Sequence, residues 1–587
     1  MRRVAASRRS TLLRIVPILA VAAGLVAPVD ANAQTPPPTG SPAVDRLVRH
    51  FRPADFDRKD EGGGPAVANK LVPKPADSPL VAANPGFAGF NGLSAFDQVN
   101  ADNGNQASLE PPDQGLCAGG GEVLETVNDV LATYDQAGGT TSGPTAFVPF
   151  FFPGRHEETF DADGNPVTFG PFVSDPKCYF DPDLRRFFVT MLEIDLDPVT
   201  GDFLSHSTVQ IAVSRTSTPS TDRADWFFYA IDTTNDGTNG TPNHPDCPCL
   251  GDQPLIGADR FGFYITTNEF PIDPDNPAFN GAQVYAIDKA AAVTGTLKMQ
   301  TIDGTPIPLE EGPAASLQPA TSPTAADWVA TNGGTEYLLS SLDFDGTADH
   351  RIATWALTNT SSLQSATPAV KLSHVTIESE PYVFPPDAVQ KKGPTPVRDL
   401  LNEQMKQGPP FKLLTIAGND DRMNQVVFAG GHLYSGLNTA VDGRRVGLAW
   451  FVVTPSLPEG GTLSATIARQ GYVSVKHASV LYPSIAVNAA GRGVMTFSLS
   501  GKDHFPSAAY APIDLASGTG PVHIGGAGTE PIDGLFGYLT GGVSRWGDYS
   551  AAVPDEDGNL WIATEYVPGG PRDPAENWGT FIGRLVP

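Results

Sequence analysis

Six residues recur at the openings of similar segments along the chain: Asp113, Asp175, Asp252, Asn424, Tyr482 and Asp548. Arg422 stands just before one of them, and Arg545 and Trp546 just before another. Carboxylates that a repeat brings to one funnel can hold a cation, or two of them can act as acid and base on a glycosidic bond. The arginines suit bidentate hydrogen bonding to an anionic group. Exposed aromatic rings near Trp546, Tyr549 and Tyr482 would suit stacking on a sugar. The same residue types also have a structural use, because Asp and Asn begin strands by capping turns.

Acidic turns are a second source of chemistry. Asp195 with Asp197, Asp232 with Asp236, and Asp343 with Asp345 each place several oxygens within one loop. Calcium takes about 6–8 such oxygens, although none of these loops completes the spaced calcium-loop pattern. Four cysteines, Cys117, Cys178, Cys247 and Cys249, read as two disulfides in an exported chain. Cys117 and Cys178 hold similar places in neighbouring repeats, which leaves Cys247-Pro248-Cys249 to pair internally or stay reactive. Cross-pairing of the two sets is the alternative, and His244 with Cys247 and Cys249 would make a three-ligand metal set.

These residues need elements to hold them. The chain has 587 residues, of which 61 are Gly and 55 Pro, and only 18% are charged. So many breakers exclude coiled coils and helical solenoids. From about Phe87 the chain runs as short strands rich in Val, Ile, Phe, Tyr and Thr, divided by Gly, Pro, Asp and Asn. A polar or Pro-containing opening, a strand of small residues, a turn and an aromatic strand recur seven times, at Asp113, Asp175, Asp252, Gln318, Asn424, Tyr482 and Asp548. Each interval accommodates a four-stranded sheet, which needs about 40–50 residues. One such sheet cannot cover both its faces, whereas several packed radially can. The pattern predicts an all-β fold: a seven-bladed β-propeller of four-stranded antiparallel blades over 87–587. Two or three separate β-sandwiches are the competing arrangement. The longest interval holds an insertion, about 376–410, in which Thr395-Pro396-Val397 through Gly408 spells a short helix.

Three segments, Leu109–Cys117, Gly251–Asp259 and Ser544–Ala551, resemble those of a family of exported bacterial proteins. That family consists of largely uncharacterised β-propellers, grouped loosely with sialidase-like propellers. The resemblance implies fold and export from about Phe87 onward and carries no catalytic residues with it. Sialidase chemistry itself would need an arginine triad, a Tyr nucleophile with a Glu partner, and an Asp acid. Arg351-Ile352-Ala353 is the nearest string to the usual Arg-Ile-Pro, and Glu556-Asp557-Gly558-Asn559-Leu560-Trp561 puts Glu at the Asp position of the usual turn. A serine-hydrolase elbow, a phosphate loop and a zinc-protease His pair are also missing from the sequence.

The N-terminus reads as a signal peptide over 1–33, with five arginines, an apolar stretch from Ile15 to Val26 and Ala31-Asn32-Ala33. Residues 34–86 read as a Pro-rich flexible linker. Removing the signal's five arginines and Asp30 takes the formal charge from −27 to −31. Such a surface disfavours nucleic acid and attracts cations. The expected protein is a secreted or cell-surface monomer without a membrane span. It would bind an extracellular glycan or protein without turnover and take calcium as its cofactor, if any. A carbohydrate-active hydrolase or lyase using the funnel carboxylates is the second reading.

Overall fold

The computed structural model describes residues 51–53 and 72–586, apart from 163–164, 275, 277, 303–306, 310–311, 343–347 and 406–408. The expected signal segment, most of the expected linker, Asp343, Asp345 and the expected Gly408 helix stop therefore lie outside the described residues. What is described is all-β, built from four-stranded antiparallel sheets, and the fold is a β-propeller.

The local cause is the strand sequence itself. In Arg186–Leu196 both faces are apolar, and alternate residues point to opposite sides. Phe187, Val189 and Met191 pack with Leu124 and Leu131 of the preceding sheet. Phe188, between them, packs with Phe263 and Ile265 of the following one. The same two-sided packing continues around the molecule. Tyr264 and Val284 meet Leu338 and Trp355, Leu339 meets Leu433 and Phe451, and Leu448 and Trp450 meet Met495 and Phe497. Val494 and Tyr510 then meet Leu560 and Ile562. The circuit closes where Trp561 and Ile582 meet Leu116, Val123 and Val130. Burying each such side chain stabilises the fold by about 1.5–3 kcal/mol, so every sheet depends on its two neighbours.

Within a sheet the strands run in sequence order, as in Phe172–Asp181, Arg186–Leu196, Phe203–Ser214 and Trp226–Asp232. The closing sheet is different. Its order is Ala551–Pro554, Leu560–Tyr566, Gly579–Leu585 and then Phe87–Ser94, so a strand from near the N-terminus completes it.

Two sequence boundaries are corrected. The expected free linker is docked from Pro73: Asp442 N–H donates to Pro73 O at 2.9 Å, Arg445 pairs with Asp77 at 3.0 Å, and Leu80–Val81 pairs with Val522–His523. Phe51–Pro53 also pairs, in parallel, with Ser108–Glu110. The insertion begins after Val383 rather than near 376, because Lys371–Val383 is a full strand in register with Ala348–Thr358.

A bulge marks the inner strands. Asp175, Gln253 and Tyr482 have φ of 55°, 49° and 57°, each precedes a proline, and each falls at a break in strand register. A bulge of this kind re-aims its side chain. The strained residue is held by the sheet before it. Asn128 Oδ1 accepts from Asp175 N–H at 2.8 Å, Asn268 Oδ1 from Ser316 N–H at 2.8 Å, and Asn438 Oδ1 from Tyr482 N–H at 2.6 Å. Within the closing sheet, Glu565 accepts from Gly547 N–H, just ahead of the first strand, at 2.8 Å.

Candidate functional site: the channel between the inner strands

The inner strands enclose a cavity of about 300 Å³. Gln114, Lys177, Gln318, Gln425 and Ser550 line one end of it, and Pro182, Thr324, Asn488 and Glu556 line the other. Beyond the first end lie the strand openings where the sequence placed its candidate residues. That end is closed. Residues just past the insertion lie across it: Ala417 O accepts from Tyr482 Oη at 2.9 Å, Gly418 O from Asn438 Nδ2 at 3.0 Å, and Asn419 Nδ2 donates to Asp548 Oδ1 at 3.0 Å. The helix Pro396–Gln404 anchors the insertion through Val397 and Leu401, packed on Leu414, Leu535 and Tyr538. Its first amides donate to Asp533, the Val397 N–H at 2.8 Å. Thr395 makes no side-chain cap.

Behind this cover the structure brings three predicted residues together. One carboxylate oxygen each of Asp113, Asp175 and Asp548 lie within 4.8 Å of one another, and all three residues are buried. Their positions follow from backbone constraints. Asp113 accepts from Asn128 Nδ2 at 2.7 Å and from Asp548 N–H at 2.6 Å, while Asp175 accepts from Gln253 N–H at 3.2 Å. Arg545 Nη2 stands 3.9 Å from Asp548. Lys177, which the sequence reading did not single out, supplies a second cation, and its ammonium lies over the Tyr549 ring. Burial holds its pKa well below the usual lysine range, while Asp175, Asp113 and Asp548 pull it back up. Burial also pushes the Glu565 carboxyl well up, and Glu110 and Asp113 add to that.

The other candidates fare differently. In the third repeat the bulge position belongs to Gln253, and Asp252 is half-exposed one residue earlier, opposite Asn268. Asn424 is buried, with its backbone N–H donating to Gly436 O. Arg422 is 5% exposed and already gripped by Asp420, Nε to Oδ1 at 2.8 Å and Nη2 to Oδ2 at 2.7 Å, with Nη1 on Gln253. The expected exposed aromatics are corrected: Trp546, Tyr549 and Tyr482 are each 2% exposed. Trp546 Nε1 donates to Ser498 Oγ and Tyr549 Oη to Pro176 O. Those rings offer no face to a sugar.

No protein-family model matches the chain, and neither does any curated protein. Several solved structures are weakly similar. One is a protein of unknown function from Dyadobacter fermentans, 11% identical, covering 72% of this chain and 98% of that one, with a TM-score of 0.33. A sialidase of Trypanosoma rangeli is 10% identical, covering 73% of this chain and 57% of its own, with a TM-score of 0.31. An endo-arabinase of Bacteroides thetaiotaomicron is 10% identical over 69% and 92%, with a TM-score of 0.27. Identity at this level discriminates no activity.

The far end of the channel is the open one. There Glu556, exposed, pairs with Arg185 and accepts from Gly120 N–H at 2.9 Å. The acidic turns elsewhere serve their own loops. Asp197 accepts from Val199 and Thr200 amides, and Asp236 from Thr238. Asp195 and Asp232 face opposite nitrogens of His206, at 2.8 and 3.7 Å. Both disulfides form as neighbours: Cys117–Cys178 joins two inner strands with Cα atoms 5.4 Å apart, and Cys247–Cys249 closes on itself. The sulfurs of the three-ligand metal reading are thus paired with each other, and His244 pairs with Glu269 instead.

The missed residues did leave a trace. Asn128 directly follows the second strand of its sheet, after Glu125-Thr126-Val127, and Asn268 and Asn438 lie within the second strands of theirs, after Thr266-Thr267 and Gly436-Leu437. A buried amide repeated at that place is the signal for the bulge behind it.

Proposed function

We propose that the protein is an exported seven-bladed β-propeller that binds an extracellular glycan through the open end of its channel, without turning it over. The closed circuit of inter-sheet clusters supports the blade count. Two disulfides suit an oxidising compartment, and among the described residues no helix is long and apolar enough to cross a membrane. One observation carries the functional reading. At its closed end the cavity is lined by amides, a hydroxyl and Lys177, while Asp113, Asp175 and Asp548 are buried behind them. Glycoside hydrolysis needs two accessible carboxyls about 5–9.5 Å apart, and this cluster is tighter, buried and tied to backbone amides. Calcium belongs to the proposal as a ligand of that cluster, sharing it with Lys177 and Arg545.

A glycan array and a chromogenic-glycoside panel test the reading together. The expected result is glycan capture that Ser550→Phe, which fills the cavity, abolishes, with no glycoside released. Release of chromophore that Asp548→Asn removes would instead establish the hydrolase. Capture unaffected by Ser550→Phe would move the ligand off the channel.

A further inference from the structure

A second cluster, none of whose members lines the channel cavity, surrounds the loop before the third inner strand. Cys247 and Cys249 are bonded, Cys249 fully buried and Cys247 half-exposed. Their sulfurs and a carboxylate oxygen of buried Glu269 lie within 4.8 Å of one another. Asn280 Nδ2 donates to Pro245 O at 2.7 Å and to Glu269 Oε1 at 2.9 Å, and stands 3.6 Å from Cys247 Sγ and 3.7 Å from Cys249 Sγ. His244 Nδ1 is 2.9 Å from Glu269 Oε1, and its side chain is 8% exposed. A bridge that only staples two strands has no use for a carboxylate, an amide and an imidazole around its sulfurs. Cys117–Cys178, which does staple two strands, is packed instead among Leu124, Phe180 and Val189.

We propose that Cys247–Cys249 is an exchanging disulfide that oxidises an external dithiol. The His244–Glu269 pair takes the proton of the first substrate thiol, and the resulting thiolate attacks Cys247 Sγ, the sulfur of the half-exposed cysteine. The Cys247–Cys249 bond breaks and its electron pair leaves on Cys249 Sγ, where Asn280 N–H receives the developing thiolate and the pair returns the proton. The second substrate thiol, deprotonated in the same way, attacks the substrate sulfur of the mixed disulfide. Cys247 leaves and is protonated in turn. Two electrons and two protons have passed from substrate to protein, and the substrate departs as a disulfide. Cys247 leaves this bridge partly exposed, and exposure makes a disulfide more oxidising, which sets this direction.

The full chain is exposed to dithiothreitol for timed intervals, quenched with iodoacetamide and mapped by peptide mass spectrometry. Cys247–Cys249 is expected to open at least ~10-fold faster than Cys117–Cys178. Asn280→Ala and Glu269→Gln should each slow it several-fold, and Glu269→Gln should also flatten its pH profile. One equivalent of a dithiol peptide should be oxidised per chain, and none by Cys247→Ser. Protection of Cys117–Cys178 reports that each variant is folded, and His244→Gln replaces any that is not. Equal opening of the two bridges, or variants with the parent rate and pH profile, would overturn the proposal.

Discussion

Glu125 shows what a single buried carboxyl does to this molecule. It sits at the seam between the first and closing sheets and accepts from Leu93 N–H and Tyr134 Oη, each at 2.9 Å, and from Thr580 Oγ1. Burial pushes its pKa from 4.5 up to about 7, against the pull of those three donors. The folded state therefore holds this proton more tightly than the unfolded chain does. Its contribution to stability is fully present below about pH 4.5 and is lost as pH rises towards 7. At about 1.4 kcal/mol per pH unit the swing is ~3 kcal/mol. Asp573, raised by burial to about 6, acts in the same direction. Urea unfolding of Glu125→Gln from pH 4.5 to 7.5 should thus show a shallower loss of stability than the parent. Parallel curves for the two would assign the dependence to other groups. At this scale the sequence was partly legible. The pairing of Cys117 with Cys178 follows from their matching places in the repeat, but the opening residue of the third repeat, Asp252, stands one position before the bulge. Asp252 and Gln253 are both polar, and only the backbone decides which takes the left-handed conformation before Pro254.

Between elements, the asparagine in or directly after one sheet's second strand fixes the bulge in the next sheet's first. Asn128, fully buried, donates to Pro111 O at 2.8 Å and Asp113 Oδ2 at 2.7 Å while accepting from Asp175 N–H at 2.8 Å. Truncation leaves a buried carboxylate and a buried amide short of partners, each worth about 1–3 kcal/mol. Asn128→Ala should therefore lower unfolding free energy by ~3 kcal/mol or more, measured by urea titration at pH 7, whereas Asn165→Ala in an exposed turn should cost little. A loss near zero for Asn128→Ala would mean that water or a backbone shift replaces the amide. Repetition made the strands and their order readable, because turn residues and two-residue alternation are local. Closure was not readable. The partner of Gly579–Leu585 is Phe87–Ser94, nearly the whole chain away, and no local pattern names it. Its tightness is visible only in the structure: a Cβ at Gly92 would stand 2.5 Å from both Glu125 carboxylate oxygens.

Over the whole molecule the acidic excess becomes a property of the channel as well as of the surface. The formal charge is −27, and part of it is concentrated in Asp113, Asp175 and Asp548 behind the channel cavity. Two different effects of cations follow, and they separate experimentally. General self-repulsion is relieved by any salt once the Debye length falls from about 30 Å at 0.01 M to about 8 Å at 0.15 M, so sodium chloride should raise the melting temperature smoothly over that range. Calcium bound between the three carboxylates would stabilise the folded state by mass action, about 2.7 kcal/mol at one hundred times its dissociation constant. Addition of calcium at constant ionic strength should then raise the melting temperature further, and EDTA should reverse it. Asp175→Asn should remove the calcium increment while leaving the sodium chloride response intact. If calcium and an equal ionic strength of sodium chloride act alike on the parent, Lys177 and Arg545 already balance the cluster. The acidic composition is then a matter of surface repulsion alone.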